Sequence, residues 1–262
     1  MTYSDHHTVA PSAIGHPSAM DSVATVLASF PEGLDAIALL HHAIFVAFPG
    51  RIAVSSSYGA ESALLLALVA DVDRSVPVLF LDTGRHFPET LAYRHALTAM
   101  LGLTGVQDLR PDPAALARED PVELLYSIDP DGCCAIRKVG PLERALAPYD
   151  ALITGRKRHQ ALTRRQLHQV EAEEGRISVN PLVDWDAARI EAEIARRGLP
   201  PHPLVARGYK SIGCEPCTRP VGPDEDPRSG RWAGLLKTEC GIHRPASGGG
   251  AAAESAGAPA AG

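Results

Sequence analysis

The chain reads as an α/β protein built on a doubly wound, mostly parallel sheet. Three observations predict this. Short β-rich runs alternate with helical patterns through the middle of the sequence. No apolar run approaches the roughly 18 residues of a membrane span, so these are elements of a water-soluble core. The Ser-, Asp- and Gly-containing breaks in the pattern fall where strands end, the edge at which open α/β sheets bind ligands.

The elements follow in order. Residues 51–55, Arg-Ile-Ala-Val-Ser, make the first expected strand, and 61–70 a buried helix after the turn Ser56-Ser57-Tyr58-Gly59-Ala60. Residues 76–81 form a second strand ending in Asp82-Thr83-Gly84, and 89–101 a helix stopped by Gly102. Further strands are expected at 106–109 and 151–154. Asp184 is expected to cap a helix over 185–197, closed by Gly198 and the Pro200-Pro201 pair. Residues 1–20 are polar and aperiodic, and 246–262 are a Gly/Ala-rich tail. Both are expected to be disordered, which leaves a single domain over about 21–245.

Bulk composition narrows the function. The 262 residues carry a net charge of −6, with 45% hydrophobic and 21% charged residues, as in an ordinary globular protein. That balance argues against a general nucleic-acid binder. The start of the chain lacks a basic segment followed by an apolar one, so no secretory leader is expected. A reducing cytoplasm is the expected location, with no membrane partner.

Three strand-end breaks are candidates for one ligand site. In Ser55-Ser56-Ser57-Tyr58-Gly59, small residues and hydroxyls at a helix start suit a phosphate, although such turns are often no more than turns. It is neither G-x-G-x-x-G nor a Walker A loop. Leu81-Asp82-Thr83-Gly84-Arg85 is either a helix-start cap or a wall of a nucleotide pocket. Gly155-Arg156-Lys157-Arg158 follows the strand at 151.

Five cysteines carry the sharpest signal. Cys133-Cys134 are adjacent, Cys214 and Cys217 form a C-x-x-C, and Cys240 stands alone in Lys-Thr-Glu-Cys-Gly-Ile-His. Two pairs can close on one soft-metal centre. Adjacent side chains on a helix diverge by about 100°, so a multi-iron cubane suits the first pair, at the expected start of a helix, better than one zinc ion does. Arg137 and Lys138, one turn on, face either that centre or an anionic substrate. Cys240 is left over, and Arg228, Arg231, Lys237, His243 and Arg244 crowd it with cations that favour a reactive thiolate.

Taken together, the Ser-Ser-Tyr-Gly-Ala-Glu turn, Leu81-Asp-Thr-Gly-Arg, Cys133-Cys134, Gly213-Cys-Glu-Pro-Cys-Thr-Arg and Lys237-Thr-Glu-Cys-Gly-Ile-His resemble the assimilatory adenylylsulfate (APS) reductases of the APS/PAPS reductase family, in order from about residue 50 to 244. The resemblance implies an adenine nucleotide α-hydrolase-like fold and a [4Fe-4S] cluster on Cys133, Cys134, Cys214 and Cys217. It implies Cys240 as nucleophile on a mobile C-terminal segment of about 220–245. It places Lys138, Arg228, Arg231 and His243 on the phosphosulfate, with one of Arg164 and Arg165, and backbone of Leu81 and Thr83 on the adenosine. Ser55, Ser57 and Gly59 complete the expected substrate set. The implied reaction is APS to sulfite and AMP, in sulfate assimilation toward cysteine, with thioredoxin or glutaredoxin as electron donor. A homo-oligomer is left open. PAPS or dual APS/PAPS use is the alternative within the family, and a nucleotide-binding module with a structural four-cysteine zinc site the alternative outside it. The chain departs from the family pattern at Ser62, commonly Asp, and at Trp232, which stands alone where a run of tryptophans is common.

Overall fold

A computed structural model describes residues 23–160, 164–173, 175–235, 237 and 241–243. Both expected disordered tails lie outside them. The N-terminal helices α1 (Val23–Ala28) and α2 (Ala36–His42) lead through a π-helical turn, Ala43–Ala47, to strand β1 (Ile52–Ser55). Then come α3 (Ser62–Val72), β2 (Val78–Leu81), α4 (Pro88–Leu101) and β3 (Val106–Leu109). Four short helices follow: α5 (Pro113–Glu119), α6 (Leu125–Ile128), α7 (Pro130–Cys134) and α8 (Gly140–Leu146). Strands β4 (Ala151–Ile153), β5 (Val170–Glu173) and β6 (Arg176–Val179) precede α9 (Ala187–Arg196).

The six strands lie in the order β3-β2-β1-β4-β6-β5, all parallel except the edge strand β5. Strand alternation shows why helices cover both faces. Ile52, Val54, Val78, Phe80, Ala151 and Ile153 point into one core with α2, α3, α4 and α9; Ala53, Leu79, Leu81 and Leu152 point into the other with Leu142 and Leu146 of α8. Helix α3 buries every residue from Ala63 to Val69, so it reads as apolar all round. Gly102 ends α4 at φ 64°, the left-handed stop expected of it.

The structure corrects the sequence in three places. Asp186, not Asp184, caps α9, accepting from the Arg189 amide at 2.7 Å, while Asp184 pairs with Arg158. Cys133 and Cys134 close α7 rather than open a helix, and a π-helical turn, Ala135–Val139, follows them. The β5–β6 hairpin was not anticipated. Its outer strand, Val-Glu-Ala-Glu, is only four residues long, and its Glu171 and Glu173 hold Arg156.

Candidate functional site

Strand order reverses around β1, between β2 and β4, and a cleft of about 370 Å³ opens there at the carboxyl ends of the strands. The three strand-end breaks converge in it as expected: Ser55, Ser57 and Gly59 after β1, Leu81 and Thr83 after β2, and Gly155 to Lys157 after β4. Lys138, Arg164, Arg228 and Arg231 line the same cleft. Arg165 is exposed and does not, which separates the two arginines that sequence left equivalent.

Gly59 sits in a tight place: a Cβ there would lie 3.3 Å from the Ile212 carbonyl, which would have to give by a few tenths of an ångström. Thr83 lines the cleft and does not cap α4, whose N-cap is Phe87. Its hydroxyl accepts from the Arg85 amide at 3.2 Å and lies 3.3 Å from Cys214 Sγ. The carbonyls of Leu81 and Thr83 already accept, from His86 Nε2 at 2.7 Å and Arg137 at 2.9 Å.

Four cysteines from two distant segments meet beside the cleft. Cys133, Cys134, Cys214 and Cys217 are free of disulfides and line one small void with Arg85, Tyr126, Arg137 and Lys138. Cys214 and Lys138 line both void and cleft. Among the described residues no group of three or more His, Cys, Asp or Glu is arranged to hold a metal ion. Burial pushes the Cys133 thiol up to about 11, Cys134, Cys214 and Cys217 add to the rise, and Arg137 opposes it. Arg85 Nε and Arg137 Nε are buried beside this void without a partner, two donors suited to an electron-rich group. By donor chemistry, four thiols beside two unpartnered guanidinium donors fit a thiolate-bound, electron-rich group.

The walls are tied by buried polar contacts. Arg137 forms a buried ion pair with Asp120 at 2.7 Å. Burial alone would raise the Asp120 carboxyl, but hydrogen bonds from Arg137 and the Leu125 amide hold it below the usual range. That pair answers whether Arg137 faces the centre or a substrate: its Nη atoms are committed to Asp120 and Thr83. The Glu215 amide donates to the Arg85 carbonyl at 2.8 Å, and His86 bridges Cys214 backbone to backbone.

The C-terminal segment is held at several points. Arg231 forms a backbone bridge with Thr218, the Trp232 amide donates to the Cys217 carbonyl at 3.1 Å, and Lys237 pairs with Asp131 on α7. The described turn Gly241–His243 packs on Ala135–Val139, and its Ile242 lines the cleft. Cys240 lies outside the described residues, as does the side chain of His243.

Sequence reasoning reached Lys157 only as part of a strand-end break and did not place His86 or Trp232 in the cleft. Buried Lys157 pairs with Glu61 at 2.6 Å; burial pushes its pKa down, against the pull of Glu61. Its place in Gly155-Arg156-Lys157-Arg158 was the available signal. His86 stacks on Phe80 at 4.9 Å, and burial keeps its pKa below the ordinary value. Nothing in the sequence marked it, and Trp232 was noted only as a departure from a pattern.

Comparison with known proteins agrees with this geometry. A phosphoadenosine phosphosulfate reductase domain matches residues 51–220, ending before Arg228. An adenosine 5'-phosphosulfate reductase of Mesorhizobium japonicum is 55% identical over 196 residues, covering 75% of this chain and 77% of that protein. A phosphoadenosine 5'-phosphosulfate reductase of Gloeobacter violaceus is 43% identical over 202 residues, covering 75% and 83%. The crystal structure of phosphoadenylyl-sulfate reductase from Candida auris, a phosphate complex, superposes with a TM-score of 0.61 at 28% identity, covering 71% of this chain and 91% of that one. An FMN adenylyltransferase of Candida glabrata, at TM-score 0.51 and 16% identity over 73% of this chain and 68% of its own, shares the fold alone. The adenine nucleotide α-hydrolase-like sheet is the one observed, and by the domain match and these relatives the chain belongs to the phosphoadenosine phosphosulfate reductase family.

Proposed function

We propose that this chain reduces adenosine 5'-phosphosulfate to sulfite and AMP, with Cys240 as the nucleophile. The observation that carries the reading is the shared wall, in which Lys138 and Cys214 line both the strand-end cleft and the four-thiol void. The relatives named adenosine 5'-phosphosulfate reductase support APS as substrate.

In this reading the turn Ser55, Ser57 and Gly59 lets backbone and hydroxyls approach the nucleotide phosphate, and backbone at Leu81 and Thr83 borders the adenosine. Lys138, Arg164, Arg228, Arg231 and His243 neutralise the phosphosulfate, and charge developing on the leaving oxygens is met by groups already in place. The Cys240 thiolate attacks the sulfo sulfur. The bond from that sulfur to the phosphate oxygen breaks, and its electron pair leaves with AMP. A cysteine S-sulfonate remains, which divides one hard step into two. A thiolate of reduced thioredoxin or glutaredoxin then attacks Cys240 Sγ, sulfite departs, and the donor's second thiol closes its own disulfide and frees Cys240. The two electrons come from the dithiol.

Cys133, Cys134, Cys214 and Cys217 would hold a [4Fe-4S] cluster. When bound, that group supplies structural closure and local electrostatics rather than electrons for turnover. The orphaned Nε groups of Arg85 and Arg137 support it as electron-rich, and the four-thiol donor set supports soft-metal ligation.

PAPS use is favoured by one observation, that a 43% identical relative is named for PAPS. The test is to incubate protein with APS without reductant, measure AMP, map modified cysteines by mass spectrometry, and assay bound iron and zinc. Stoichiometric AMP, S-sulfonate on the Cys240 peptide and bound iron are expected. Stoichiometric zinc with neither AMP nor S-sulfonate would leave a nucleotide-binding module with a structural zinc site.

A further inference from the structure

Arg231 is held in an unusual setting. Its guanidinium lies flat against the bare Cα of Gly213, where an added Cβ would collide with Nη2 and Cζ and lie 2.9 Å from Nη1. Its Cζ also sits 4.5 Å from the centroid of the Trp232 indole. Trp232 is 3% exposed and adopts φ 48°, a left-handed conformation that a bulky residue holds only when its surroundings impose it. What imposes it is visible. The Trp232 amide donates to the Cys217 carbonyl, and Lys237 Nζ lies 5.5 Å from the same ring centroid. Arg231 Nε and Trp232 Nε1 are both buried without a partner. Both residues line the cleft.

The geometry points to Trp232 as the positioning residue of Arg231: indole and Gly213 form a slot that presents the guanidinium to the phosphosulfate, and the amide tie to Cys217 fixes that slot to the C-x-x-C turn. This deepens the proposed reaction and rests on it. A guanidinium on an aromatic face keeps its in-plane donors directed sideways, which favours a bidentate anion over a point contact. Held beforehand, it loses little side-chain freedom on binding. The lone Trp232 thereby acquires a task that no motif assigned to it.

The test uses the full-length, iron-loaded protein with Trp185 replaced by Phe, leaving Trp232 as the one tryptophan of the two in the chain. APS is titrated while Trp232 fluorescence is followed, and steady-state kinetics are measured in parallel. Gly213→Ala should raise both the APS dissociation constant and KM about tenfold or more, the scale of one lost charged hydrogen bond, with kcat little changed. Inhibition by adenosine, which has no anion, should stay at the wild-type value. With Trp185 intact, Trp232→Ala should behave like Gly213→Ala, and Trp232→Phe should recover most of the affinity because a ring face remains. Wild-type APS affinity in Gly213→Ala would overturn the slot. Equal weakening of APS and adenosine would overturn it too, since that is collapse of the pocket rather than loss of an anion grip. A saturable, Gly213-dependent APS signal in a protein that releases no sulfite would support the slot and sink the proposed reaction.

Discussion

The two walls of the cleft are built in different ways. The strand-end wall stands on five parallel strands and a large apolar core, so Ser55, Leu81 and Thr154 are positioned by packing. The opposite wall, described residues 200–235, contains no α-helix and no strand, only two three-residue 3₁₀ turns, Val205–Arg207 and Glu215–Cys217. Its buried apolar residues are few: Leu204 and Ile212, which cluster with Phe87 at the start of α4, and Val221 and Trp232. It is fastened instead by polar ties: His202 to Thr90 at 3.0 Å, Tyr93 to the Pro200 carbonyl at 2.8 Å, and Thr83 to Cys214. Under the proposed cluster, this wall would draw much of its order from ligation, because ligation energy is then folding energy. In the proposed reaction the first wall sets where the nucleotide lies, and the second sets what happens to it.

The largest effect should come from the chemistry itself. Cys240→Ser is expected to abolish sulfite release while iron content and nucleotide binding stay close to wild type. Lost iron in that variant would mean that ligand and nucleophile are wrongly assigned.

A matched pair then tests the two walls directly. Leu66→Ala, in a fully buried position of α3, should cost about 2–5 kcal/mol of stability in denaturant titration and leave the APS KM and bound iron unchanged. Cys214→Ala should lose iron and most activity. Hydrogen exchange should quicken over 200–235 more than in the strands. Uniform loss of protection in both variants would erase the distinction.

Arg231→Ala should weaken APS binding and turnover by about 1.5–3 kcal/mol, and Arg231→Lys should restore it only in part. Arg196→Ala is the control, since that side chain is 66% exposed and pairs with Glu193 on α9. Identical kinetics for Arg231→Ala and Arg196→Ala at one ionic strength would make Arg231 an ordinary surface cation.

The smallest effect is a pH slope. Burial pushes His202 down to about 4, against Glu89, and its ring accepts from the Leu204 amide at 3.1 Å in the neutral form. The unfolded chain takes up that proton near pH 6.5. Stability from this group is therefore complete above about 6.5, declines as pH falls toward 4, and changes no further below. Subtracting the His202→Asn profile from the wild-type one should isolate this decline. A flat difference would show that His202 titrates in the fold as it does in the unfolded chain.

Much of this was legible in the sequence, for reasons that differ by region. The runs at β1, β2 and α3 are apolar and short, so period and length alone place them. The C-x-x-C and the adjacent cysteines are rare enough to read without a structure. The void's closing ion pair was not legible, because Asp120 and Arg137 carry no local pattern and meet only through tertiary folding. The cap of α9 was misplaced by two residues because Asp184 and Asp186 have the same chemistry, and only the backbone distinguishes them. His86 and Trp232 were invisible as site residues for the same reason as Asp120. Their roles come from what they touch.

The most direct measurement is sulfite release by the iron-loaded protein with reduced thioredoxin, with APS and PAPS supplied separately. The account predicts sulfite from APS in step with AMP, and a lower kcat/KM for PAPS. No sulfite from APS, in protein that binds it and carries iron, would contradict the account.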